Sequence, residues 1–222
     1  KYFNSNIFQN RRFSGSIYYE TPGSTNPFNY TYSFEARNDG YQTSQYYNGF
    51  ANSRQDSNLA LGGRQDNGTA RYTGTLLWDH VLGADGAWAA IHPTNDDIMY
   101  GSYQRARIHK SVNGGNNFSQ IFSPSMLGIP TSGLSISQTS PFVMSNANPD
   151  VLYVGTSYIS KSTDAGDNWI LMNSGNELNG SPSIAMATSF QDENVMYVST
   201  SPITTSSAIF ITNNGGLSFS DV

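Results

Sequence analysis

The sequence predicts an all-β chain, part of a β-propeller of four-stranded antiparallel blades joined through a recurring turn. Three observations predict it. An eight-residue segment occurs three times, as SVNGGNNF at 111–118, STDAGDNW at 162–169 and TNNGGLSF at 212–219, with starts 51 and 50 residues apart. A short apolar run ending in tyrosine precedes each copy: Asp97-Ile98-Met99-Tyr100, Asp150-Val151-Leu152-Tyr153 and Asn194-Val195-Met196-Tyr197. Charged residues make up only 12% of the chain, and 21 Gly and 14 Tyr accompany abundant Asn, Ser and Thr. That composition suits short strands and many turns rather than helices.

Each repeat supplies four strands. Before the Tyr strand lies another apolar run, Ala87–Ile91, Pro141–Met144 or Ser183–Ala187. The strand entering the repeated turn covers Ile108–Lys110, Tyr158–Lys161 or Ala208–Ile211, and a fourth strand leaves it. Four antiparallel strands over 40 to 50 residues are the signature of a propeller blade. One such sheet cannot cover both its faces, so blades stack and bury each other's apolar sides. Strands are therefore expected near 97–101, 107–111, 150–155, 158–162, 194–199 and 207–212, within blades at 83–125, 140–175 and 182–222. Upstream, 41–82 reads as a divergent blade. Leu59–Gly63 is its Tyr-type strand, RQDNGTARYTG replaces the repeated turn, and Thr75–Val81 is the outgoing strand, with Trp78 at the turn's aromatic position and in the core. Residues 1–40 alternate in Ser16–Tyr19 and Tyr30–Phe34 and read as an incomplete or divergent blade. About four and a half blades do not close a propeller, so the missing blades are expected in the rest of the chain or in a partner.

The repeated segment has a structural explanation. Asn113, Asp164 or Asn214 can accept backbone N–H groups of the turn, and Gly115, Gly166 or Gly216 supplies a positive φ. Ser111, Ser162 or Thr212 can hydrogen-bond across it, while Phe118, Trp169 or Phe219 folds back as an apolar plug. A catalytic acid would not be Asn in two of three copies. These residues resemble the Asp-box, or bacterial neuraminidase repeat, of form S-x-D-x-G-x-x-W. The resemblance covers about 60–222 and implies a propeller fold. It does not select among sialidases, xyloglucanase-type hydrolases, sortilin-type receptors and photosystem assembly factors, which share the box. A narrower match joins Thr43-Ser44-Gln45-Tyr46-Tyr47, GGRQDNGT at 62–69 and Gly83-Ala84-Asp85-Gly86. It is similar to a series in large exported bacterial proteins with sortilin-like propellers. This implies an extracellular or cell-surface setting and type IX secretion, often through a C-terminal sorting domain that this sequence lacks.

A sialidase needs an arginine triad, a Tyr–Glu nucleophile pair and an acid. All the arginines, Arg11, Arg12, Arg37, Arg54, Arg64, Arg71, Arg105 and Arg107, fall in the first half, and the glutamates are Glu20, Glu35, Glu177 and Glu193. A xyloglucanase-type hydrolase needs two facing carboxylates. Asp85, between Trp78 and Trp88, is placed like one of them, and the two indoles are candidate sugar-stacking groups; an Asx-turn role for Asp85 is the competing reading. His80, His92 and His109 lie on different strands and lack metal-ligand spacing. Asn95-Asp96-Asp97 could hold calcium through oxygens but reads better as an inter-strand turn. No cofactor is expected.

The net charge of −5 disfavours a phosphate-backbone partner, so no nucleic acid is expected. Without cysteine, disulfides and thiolate chemistry are excluded. No apolar run reaches membrane-helix length. Lys1-Tyr2-Phe3-Asn4 does not read as a signal peptide, so Lys1 reads as a fragment start or a processed end. The expectation is a binding or structural module that contacts a protein or glycan at the cell surface, with secretion machinery among the candidate partners; the alternative is a glycan hydrolase centred on Asp85.

Overall fold

The structure, a computed structural model, describes residues 44–222 except 48, 132–135 and 203–205. The chain divides into two compact units, Lys1–Ser44 and Gln45–Val222, and the description below concerns the second. The strands expected over 1–40 lie outside the described residues.

Four consecutive meanders make up the unit. The first sheet holds β1 (Ala51–Asn52), β2 (Leu59–Arg64), β3 (Gly68–Thr73) and β4 (Asp79–Leu82). The second holds β5 (Gly86–Ile91), β6 (Met99–Tyr103), β7 (Arg107–Ser111) and β8 (Ser119–Phe122). The third holds β9 (Phe142–Met144), β10 (Leu152–Gly155), β11 (Ile159–Ser162) and β12 (Ile170–Leu171). The fourth holds β13 (Ser183–Thr188), β14 (Met196–Thr200), β15 (Ile209–Thr212) and β16 (Ser220–Asp221). All pairings are antiparallel and join chain neighbours. Among the described residues helical structure is confined to two single 3₁₀ turns, Pro124–Leu127 and Asn173–Gly175.

The core lies between sheets. Leu61 of the first sheet packs with Ile91 and Met99 of the second. Tyr100, Ile108 and Phe122 of the second pack with Phe142, Leu152, Val154 and Trp169 of the third. Tyr153 and Ile159 of the third pack with Met186, Met196 and Val198 of the fourth. Strand alternation produces this pattern: successive side chains point to opposite faces, so a buried strand between two neighbours is apolar on both. The Tyr strand is buried for that reason, and its phenols cross to the next sheet. Tyr100 Oη donates to Ala165 O at 3.1 Å and Tyr153 Oη to Glu193 O at 3.3 Å. Burial pushes both phenols well above the ordinary tyrosine range, Tyr153 to about 12.

A cation beside each Tyr-strand position carries the contact outward. Arg71 pairs in register with Leu61, Lys110 with Tyr100, and Lys161 with Tyr153. Each reaches the repeated turn of the following sheet. Arg71 donates to Gly114 O and to Asn116 Oδ1, Lys110 to Asp167 Oδ1 at 3.4 Å, and Lys161 to Gly215 O at 3.3 Å. In the fourth sheet the equivalent position, opposite Tyr197, is Ile211. Tyr197 and Ile209 on that face are 46% and 51% exposed.

The divergent first sheet corrects two expectations. RQDNGT is the β2–β3 hairpin, at the end of the sheet opposite the repeated turns. The segment in the position of the turn is Gly74–Trp78, because it follows the end of β3 at Thr73 as the repeated turn follows the end of β7 at Ser111. The outgoing strand starts only at Asp79. Leu76 and Leu77 before it are 96% and 82% exposed, and Trp78, expected in the core, is 37% exposed. Lacking the polar residues that tie the other turns, this loop does not fold its aromatic inward. Trp78 rests instead in a surface cluster with Tyr46, Phe50 and Tyr72, at ring distances of 5.5, 6.3 and 5.0 Å.

Candidate functional site

The three repeated turns share one hydrogen-bond set. Ser111 Oγ, Ser162 Oγ and Thr212 Oγ1 each accept the N–H four residues on, from Gly115, Gly166 and Gly216, at 2.9 Å in every case. Each hydroxyl donates to the Asx oxygen two residues on, at 2.9 Å to Asn113, 2.8 Å to Asp164 and 2.9 Å to Asn214. The same Asx oxygen accepts the N–H of Asn117, Asn168 or Ser218 at 2.8–3.1 Å. The polar groups are therefore satisfied inside the turn, where they hold it shut. Two consecutive residues adopt positive φ: Gly114–Gly115, Ala165–Gly166 and Gly215–Gly216. Asp164 is held down to about pKa 2, first by the side-chain amide of Asn168, then by the Asn168 backbone N–H and the Ser162 hydroxyl. A carboxylate so stabilised stays ionised and is a poor proton donor near neutrality.

The aromatic plug differs among the copies. Trp169 is 9% exposed, lies 4.7 Å from the Phe122 ring and donates Nε1–H to Gly166 O at 2.9 Å. Phe118 and Phe219 are only partly buried at the edges of their clusters.

A second repeated turn escaped the sequence reading. It lies at the corner before each Tyr strand and uses Asp56, Asn95, Asn148 and Asp192. Each side-chain oxygen accepts the N–H two residues on, from Asn58, Asp97, Asp150 and Asn194, at 2.8–3.2 Å. Each carbonyl accepts the N–H three residues on, from Leu59, Ile98, Val151 and Val195. Three residues earlier stands a capping side chain, Ser53, His92, Ser145 or Ser189. The signal was present as S/H-x-x-N/D-x-x before an apolar pair, but its uneven spacing hid it. The two turn families join, since Gly114, Ala165 and Gly215 donate to the carbonyls of Asp97, Asp150 and Asn194. Asn95-Asp96-Asp97 is thus a turn. Asp96 Oδ1 accepts from Ser53 Oγ at 2.6 Å, and no group of three or more metal-ligating side chains occurs among the described residues.

Asp85 sits at the opposite end of the sheets. Its Oδ1 accepts the Asp66 N–H at 2.8 Å from the β2–β3 hairpin, and its Oδ2 accepts Gln104 Nε2–H at 3.2 Å from the β6–β7 hairpin. Gln104 Oε1 accepts the Asp85 N–H in return, at 3.2 Å. One carboxylate thereby ties the hairpins of two neighbouring sheets. The tryptophans do not converge on it. Trp88 is half-buried against the second core cluster, with Nε1 donating to Thr139 O at 3.1 Å, and Trp78 belongs to the aromatic cluster of the first sheet. His109 is buried and stacked on Tyr103 at 4.5 Å, with burial lowering its pKa.

No family model matches the sequence, and no curated protein does. Solved structures do. An ancestral GH74 enzyme is similar at 12% identity over 81% of this chain and 24% of its own, with a TM-score of 0.59. The GH74 xyloglucanase from Xanthomonas campestris is similar at 18% identity over 81% of this chain and 30% of its own, with a TM-score of 0.56. YCF48 from Cyanidioschyzon merolae is similar at 14% identity over 80% of this chain and 56% of its own, with a TM-score of 0.53. At these identities the likeness establishes the fold, a β-propeller of which this chain forms a part. The chain spans less than a third of either GH74 enzyme.

Proposed function

We propose that the chain is a non-catalytic binding or structural module, a section of a larger propeller in an exported bacterial surface protein, contacting a protein or glycan. One observation carries the reading. Both carboxylate oxygens of Asp85 are taken up in hydrogen bonds that join two hairpins, whereas a general acid or base needs an oxygen free to reach a substrate proton. The repeated turns fit the Asp-box reading as structural staples, with each Ser or Thr hydroxyl and its Asx oxygen bonded to one another inside the loop. The face of the fourth sheet bearing Tyr197, Ile209 and Ile211 supports a further blade, from the rest of the polypeptide or from a partner. Its equivalents in the other three sheets are each covered by the next sheet. Ile211 gives this seat an apolar group where the others use a cation, so a neighbour need not bring an Asp-box.

The rival reading, a xyloglucanase-type hydrolase, is favoured only by the fold it shares with GH74 enzymes. The experiment is release of reducing sugar from xyloglucan and β-glucans by the full-length protein, with and without Asp85→Asn. The expected result is no activity in either. Robust hydrolysis abolished by Asp85→Asn overturns the proposal.

A further inference from the structure

A groove of about 640 Å³ opens between the β6–β7 hairpin and the loop that follows β8, a volume within the range of ligand sites. Arg105 and Arg107 line it with Tyr103, Gln120, Ser123 and Ser125, and no Asp or Glu does so among the described residues. In a chain of net charge −5 this is a local reversal of sign. Two of the other cations are in ion pairs: Arg71 with Asp79 at 3.0 Å and Lys110 with Asp167 at 3.4 Å. The Arg107 guanidinium has no carboxylate or carbonyl partner among the described residues. It lies 5.9 Å from the centre of the Tyr103 ring, which also stacks on buried His109. Because burial lowers the His109 pKa, the groove's charge at neutral pH comes from the two arginines.

The backbone holds this arrangement at a cost. Arg105 and Ala106 both adopt left-handed conformations, φ 63° and 59°, in a hairpin without glycine or asparagine. Such backbone is disfavoured for L residues and persists where surrounding contacts impose it. Here the Arg105 N–H donates to Gln138 O at 3.1 Å and Arg105 Nη2 to Thr131 O at 2.6 Å. Those contacts hold the Arg105 side chain in the wall of the groove.

We propose that this groove binds the carboxylate of an acidic oligosaccharide of the uronate type, a ligand class that deepens the binding-module reading and rests on it. A planar guanidinium matches a carboxylate with two parallel hydrogen bonds. The Gln120 amide and the Ser123 and Ser125 hydroxyls suit the neutral hydroxyls of neighbouring sugars. A protein partner would call for an aromatic or aliphatic anchor pocket. The apolar part of the lining is limited to Tyr103 and Pro124, and the Tyr103 ring is already engaged by Arg107 and His109.

The test is calorimetric titration of the full chain with trigalacturonate, its fully methyl-esterified form and a triglutamate peptide, using wild type and Arg107→Gln. Arg107 is exposed and without hydrogen-bond partners, so the variant should melt as wild type does. Trigalacturonate is expected to bind wild type, the ester not to bind, and Arg107→Gln to weaken binding at least tenfold. Absence of trigalacturonate binding, equal binding of the ester, or full affinity in Arg107→Gln would overturn the proposal. Triglutamate binding as tightly as the sugar would assign the groove to acidic peptides and overturn it as well. Hydrolysis lost in Asp85→Asn would defeat the non-catalytic reading through a different residue and assay, so the two failures are distinguishable.

Discussion

Replacing Trp169 with alanine tests the claim that an Asp-box aromatic is a structural plug. The ring is 9% exposed, packs against Phe122 at 4.7 Å and donates Nε1–H to Gly166 O at 2.9 Å. Truncating a buried indole removes its transfer free energy and leaves a cavity, together roughly 3–5 kcal/mol. The variant also leaves the Gly166 carbonyl without its donor, a penalty of about 1–3 kcal/mol for a buried group that overlaps the first figure because each is measured by truncation. An effect of about 4 kcal/mol should lower Tm by on the order of 10 °C for a domain of this size. Asp167, two residues earlier, is the control. Its side chain is 70% exposed and meets only Lys110, at 3.4 Å, so Asp167→Ala should cost ~0–1 kcal/mol. Urea melts of both variants measure the difference, with unchanged slopes showing that native compactness is retained. If Asp167→Ala proved the more damaging, or if both effects fell below about 1 kcal/mol, the plug assignment would be wrong.

Two further outcomes follow from the same geometry. The folded-state pKa of Asp164 is depressed from 3.8 to about 2, so its stabilisation is present above pH 3.8 and is lost as pH falls toward 2; the midpoint difference between wild type and Asp164→Asn, measured by urea melts from pH 2 to 5, should vary through that window, and a constant difference would sink the assignment. Tyr153→Ser should destabilise by about 3 kcal/mol or more, because the ring is 1% exposed, whereas Tyr197→Ser at the equivalent position should stay within about 1 kcal/mol; equal losses would show that the face of the fourth sheet is covered within this chain.

What could be read from the sequence was local. The Ser/Thr–Asx–Gly turns close through hydrogen bonds between residues two and four apart, so each box carries its whole determinant in eight residues. The Tyr strands are equally legible, because a strand buried on both faces shows as an apolar run whatever lies beside it. By the same logic the corners at Asp56, Asn95, Asn148 and Asp192 were readable, and only their irregular spacing concealed them. Trp78 was not legible in this way. It stands at the aromatic position of its repeat, but the loop before it lacks the hydroxyl–Asx pair that would turn the ring inward.

Packing between sheets decided the rest, through pairs far apart along the chain. Arg71, Lys110 and Lys161 each reach the turn of the next sheet, at separations of 43, 57 and 54 residues, and nothing local marks them as equivalent. The role of Asp85 likewise depends on two hairpins, each 19 residues away along the chain and on opposite sides of it, being brought to one carboxylate. Arg105 and Arg107 are sequence neighbours, but the groove between them exists only because the loop after β8 returns across the hairpin and ties Arg105 into a left-handed backbone. Sequence by itself determined the strands and the turns that close them, since those energies act within a few residues. Tertiary structure decided which groups are occupied in holding sheets together and which remain available to a ligand, because that depends on what the stacking of sheets places beside them.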